Sequence, residues 1–75
     1  MDKNNFIKIF AGQFDDTDVS LINENTNYKE LEEWSSMTAL CLIAMAKTEF
    51  GKTITGSEIR ACDTVKDLYD LLESK

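Results

Sequence analysis

Ser36 is the residue whose setting invites a chemical reading, because it stands with Ser35 where an acidic stretch gives way to an apolar run. As a nucleophile it lacks support. The chain has no histidine, and no basic side chain lies within three positions of Ser36, so no general base is at hand to take its proton. As an attachment point for a phosphorylated group it is better placed, since a helix start offers free N–H groups and the positive end of the dipole. The plainer role for a serine at this junction is a helix cap, worth about 1 kcal/mol, and Ser35 fits it. The other candidate nucleophiles, Cys41 and Cys62, lie 21 positions apart, which matches neither a CxxC redox pair nor a zinc framework. Both fall in apolar runs and read as small buried hydrophobes in a reducing compartment.

The elements that must hold Ser36 follow from periodicity. Residues 3 to 14 place Ile7, Phe10 and Phe14 on one stripe with Phe6 beside it, the mark of an amphipathic helix with Asp2 near its positive end. From Asp15 to Trp34 the pattern breaks into Asp, Asn, Ser and Thr, which compete with helix by bonding their own backbone. Such a loop is long for a small domain. Val19, Leu21, Ile22, Tyr28, Leu31 and Trp34 are spaced along it like pins, so it is expected to pack across the molecule, with short helical turns allowed. Residues 36 to 50 form the strongest helix, apolar on most sides, with Gly51 as its stop. Thr55 with Glu58 and Thr64 with Asp67 have the spacing of capping boxes, opening a short third helix and a last one that aligns Val65, Leu68, Tyr69 and Leu72. The expectation is a single all-α domain over residues 1–75: a small four-helix bundle, three longer helices and one short, with a long acidic loop between the first two.

Charge narrows the function. The 75 residues carry a formal charge of −6, and residues 15 to 36 hold seven acids against Lys29 alone. The rest of the chain is balanced. This argues against nucleic acid, whose phosphates would be repelled, and against an anionic membrane surface. The bland reading of the acidic stretch is a solvated face that aids solubility; the functional one is a steering surface for basic partners. A calcium loop starting at Asp16 fails, because Leu21 stands at the glycine position and Asn27 at the bidentate glutamate. No signal peptide is indicated, and the longest apolar run, Ala39 to Ala46, falls well short of the ~20 residues that span a bilayer. The expectation is a cytoplasmic monomer, with no stable membrane insertion, that is not an enzyme.

Three landmarks then fall in order: Ser35-Ser36-Met37, Glu49-Phe50-Gly51 and Thr64-Val65-Lys66-Asp67-Leu68. Together they make the chain resemble the acyl carrier protein family, collinearly over nearly its whole length and most strongly from Thr26 to Leu72. The resemblance implies a non-enzymatic carrier. A phosphopantetheinyl transferase would attach 4′-phosphopantetheine from coenzyme A to Ser36, and the arm's thiol would carry acyl groups as thioesters between enzymes of fatty-acid or polyketide-like biosynthesis. Implied partners are that transferase and acyl-activating, ketosynthase or acyltransferase enzymes with basic docking patches. Met37 would be the apolar docking residue beside the arm. Glu30, Glu32, Glu33, Ala44 and Glu49 complete the docking set, and no metal site is implied.

The chain departs from the family pattern in two ways. Ser35 replaces the aspartate that usually precedes the modified serine, and Cys41, Lys47 and Thr48 stand where acids are common on the central helix. Its acidity lies upstream instead, which points to a carrier for a specialised pathway. Two other readings stand beside this one. One is a peptidyl or aminoacyl carrier, though Glu33-Trp34-Ser35 lacks the glycine and histidine more usual there. The other is an unmodified acidic interaction module of the same fold.

Overall fold

The longest helix begins where Ser35 turns out of extended backbone (φ −159°, ψ 174°), and a computed structural model describes it within residues 2–75. Four α-helices are present among these residues: α1 (Lys3–Ala11), α2 (Ser36–Phe50), α3 (Gly56–Ala61) and α4 (Val65–Glu73). Single 3₁₀ turns at Val19–Leu21 and Tyr28–Glu30 interrupt the connection from α1 to α2. No strand is present among the described residues, only an isolated antiparallel bridge between Asn27 and Thr64. The body measures 28 × 24 × 20 Å, and α1 packs on both α2 and α4 while α3 packs on α2.

Each helix end has a local cause. Asp2 accepts the Asn4 N–H and starts α1. Gly51 ends α2 in the left-handed region at φ 64°, a conformation that glycine adopts without a Cβ penalty, and its N–H closes on the last carbonyls. Thr55–Glu58 and Thr64–Asp67 both form complete capping boxes, as their spacing predicts. The N-terminus of α4 is satisfied further. The amides of Val65 and Lys66 donate to the carbonyls of Thr26 and Glu24 at 3.1 and 2.9 Å, so the connection itself supplies the acceptors that a first helical turn lacks.

In three places the structure differs from the sequence expectation. α1 stops at Ala11, not at residue 14, because Gly12 weakens the helix and the next amides close i→i+3 turns instead. Phe14 still reaches the core from outside the helix, and the buried stripe of α1 runs over Phe6, Phe10 and Ala11, with Ile7 only half-buried. Of the residues expected to pin the connection, Ile22 and Tyr28 are buried and Leu31 and Trp34 half-buried, but Val19 and Leu21 stay 65% and 62% exposed. The side chains of one 3₁₀ turn project in three directions, and it is Ile22, just beyond the turn, that points inward. Cys41 and Cys62 are unpaired and half-buried rather than buried.

Aromatic rings run through the core. Phe6, Phe10, Phe14, Tyr28 and Trp34 form a chain of ring contacts with centroids 5.1–6.0 Å apart, and Phe50 and Tyr69 close on Phe6 at 5.5 Å each. Such edge and tilted contacts add to the area each ring buries. Trp34 is the last ring of the chain and lies two residues before Ser36, so the aromatic core anchors the segment that enters α2.

Candidate functional site

The start of α2 is built by four residues acting on one another. Ser35 is the cap: its Oγ accepts the Thr38 N–H at 3.3 Å, and its carbonyl accepts the Ala39 N–H at 3.0 Å. Thr38 is buried, 7% exposed, and its Oγ1–H donates to the Glu33 carbonyl at 2.9 Å. Ser35 Oγ also lies 3.3 Å from Thr38 Oγ1; as the single threonine hydrogen is committed to Glu33, the Ser35 hydroxyl is the donor there. The Glu33 side chain turns back the other way. Its Oε1 accepts the Asp16 N–H at 3.0 Å and the Thr17 hydroxyl at 2.8 Å.

Ser36 occupies the first position of α2, with its side chain exposed. The amides of Ser36 and Met37 belong to the first helical turn and have no intrahelical acceptor, and that turn contains no acidic residue. A hydroxyl there, beside free N–H groups at the positive end of a 15-residue helix, has the donor set a phosphodiester needs. No carboxylate of the helix itself opposes such a group. Ser36 Oγ therefore shares the first turn of α2 with two amides, those of Ser36 and Met37, that have no acceptor within the helix.

The remaining expected site residues divide into three groups. Met37 is 69% exposed, and Leu40, which the sequence reading left out, is 61% exposed one turn on; Ala44 continues that exposed face. Glu30 and Glu32 are exposed, without ion pairs among the described residues, and line a shallow groove of about 360 Å³ with Asp16, Thr17, Asp18, Leu21 and Leu31. The Ser20 N–H holds the Asp18 carboxyl below the usual carboxylate range. Glu33 is half-buried and spends one oxygen on the connection. Glu49 is exposed but lies near the far end of α2, about 20 Å along the axis from Ser36. Sequence reasoning also missed Thr38, although it is the one polar residue between Met37 and Ala46, and a lone polar side chain at that position is the signal that marks it.

Cys62 is not poised as a nucleophile. Burial pushes the Cys62 thiol up, with the Asp67 and Glu58 carboxylates adding to the effect, so it stays protonated at neutral pH. Among the described residues no His, Cys, Asp or Glu cluster could hold a metal ion, and no helix is long and apolar enough to cross a membrane. Comparison with models of known protein families, with curated proteins and with solved structures gave no match.

Proposed function

We propose that the chain is an acyl carrier, modified on Ser36 with 4′-phosphopantetheine by a separate transferase and read by partner enzymes through the surface around that serine. The observation that carries this reading is an exposed serine hydroxyl at the first position of α2, beside amides that lack acceptors and with no acid in that turn. The order of the three sequence landmarks supports it. When bound, the arm supplies a mobile terminal thiol, on a tether that raises the effective concentration of its cargo at a docked enzyme. The protein's own residues position and present. Ser35 and Thr38 fix the helix start. Met37, Leu40 and Ala44 offer an apolar strip beside the attachment point, and Glu30 and Glu32 offer charge to a basic partner surface. The placement of that charge ahead of the helix, with Lys47 and Thr48 on it, favours a dedicated set of cytoplasmic partners in a specialised fatty-acid or polyketide-like pathway.

The test is intact-mass measurement after incubation with coenzyme A, Mg²⁺ and a broad-specificity phosphopantetheinyl transferase, beside Ser36→Ala. A one-arm increase lost in the variant is expected. No increase in folded protein, with a second transferase also tried, refutes the carrier reading. Ser35 in place of an aspartate, with the exposed strip of Met37 and Leu40, would then favour an unmodified interaction module.

A further inference from the structure

Glu33 stands in the most acidic part of the chain, and by sequence it reads as one more docking charge. Its hydrogen bonds are made within the chain instead. Through its side chain it holds the beginning of the connection, at the Asp16 N–H (3.0 Å) and the Thr17 hydroxyl (2.8 Å); through its carbonyl it holds the first turn of α2, at Thr38 Oγ1 (2.9 Å). Thr38 in turn is bonded to Ser35, the residue before the modified position. These bonds run without a break from Asp16, at one end of the connection, to the backbone that carries Ser36 at the other. Three of these five bonds are accepted by Glu33, and the threonine that completes the set is buried, so the geometry cannot relax by solvating it.

We propose that Glu33 and Thr38 form an internal clamp that locks the connection to the start of α2, making them positioning residues for Ser36 rather than docking residues. For its functional arm the proposal rests on the carrier reading above. The charge offered to partners is then that of Glu30 and Glu32, and Glu33 is needed for its acceptor oxygen, not for its charge. A glutamine keeps that oxygen and loses the charge. An alanine loses both.

The first experiment uses the unmodified protein and so is independent of any transferase. In Glu33→Ala, exchange of the Asp16 amide should speed up about tenfold, the weight of one ordinary hydrogen bond, and the Ser36 amide resonance should move. In Glu33→Gln both should stay near wild type. Thr38→Val should move the Ser36 resonance and Thr38→Ser should restore it, which guards against a Glu33→Ala variant that fails to fold. Equal behaviour of the alanine and glutamine variants, or a Ser36 amide indifferent to both Glu33→Ala and Thr38→Val, overturns the clamp. The second experiment is transferase kinetics. A clamp predicts a kcat lowered about tenfold in Glu33→Ala with KM little changed, and Glu33→Gln near wild type. A docking charge would raise KM equally in both, and that result also overturns the proposal. If the wild-type protein takes no arm at all, the carrier reading fails while the exchange data still decide the clamp.

Discussion

Tyr28 ties the connection to the far side of the molecule through one hydroxyl, and removing that oxygen isolates its contribution. The hydroxyl donates its one hydrogen to the Ile59 carbonyl, with that of Cys62 3.3 Å away, both at the C-terminus of α3. Tyr28→Phe keeps the ring and its contacts with Phe10 at 5.7 Å and Trp34 at 5.1 Å, so no cavity opens. The loss is one hydrogen bond plus the cost of a buried carbonyl left without a donor, together about 1–2 kcal/mol. Total stability for a chain of this length is about 4–11 kcal/mol, so the change is a sizeable share of it. With a urea slope of about 1 kcal/mol/M, the unfolding midpoint should fall by about 1–2 M with the slope unchanged. The same variant carries a pH signature. Burial pushes the Tyr28 phenol above its ordinary value of 10.0, so the unfolded state ionises first and wild-type stability falls as pH rises above 10. Tyr28→Phe should lose that component and keep the part due to Tyr69, whose phenol is pushed up to about 12 chiefly by its bond to Glu73. A midpoint shift below about 0.3 M would refute the claim that the hydroxyl holds α3.

Gly51→Ala should cost about 1 kcal/mol, read from a thermal or urea midpoint; nothing lies within 4 Å of an added Cβ, so the left-handed φ of 64° is the whole cause. On the acid side, the Lys75 bond to Glu58 and the Thr64 amide bond to Asp67 hold both carboxyls below their ordinary values of 4.5 and 3.8. Their contribution is present above those values and is lost as pH falls through them, and Asp67→Asn should flatten that acid limb of the stability curve. Glu30→Lys with Glu32→Lys should weaken turnover by partner enzymes more than Glu49→Lys does, with thermal stability within about 0.5 kcal/mol of wild type; equal effects would refute the upstream placement of the docking charge.

Much of this arrangement is legible in the chain because its signals are local. The boundaries of α2 follow from Ser35 and Gly51, and the two capping boxes from Thr55–Glu58 and Thr64–Asp67, since each depends on residues within a few positions of one another. Exposure of Val19 and Leu21 is not legible, because hydrophobicity says that a side chain gains by burial and not whether a short turn can aim it inward. The early end of α1 depends on Gly12, a residue that a stripe of aromatics on either side conceals. The engagement of Glu33 is a contact across 17 positions, to which no periodicity is sensitive. At the candidate site, Ser36 and its helix could be read in advance, whereas the partition of nearby acids into those without a partner among the described residues and one bonded to the connection required the fold.

The amides of Val65 and Lys66 take their acceptors from Glu24 and Thr26. This has a consequence for synthesis. While the nascent chain emerges, α1 and α2 can form and meet, but the carbonyls at 24 and 26 have no donors until the residues that open α4 leave the ribosome. These two bonds close a loop of about 40 residues, an entropic cost that is met only when α4 docks. The approach to Ser36 does not wait for this step, because the bonds of Glu33 to Asp16, Thr17 and Thr38 lie wholly within residues already made.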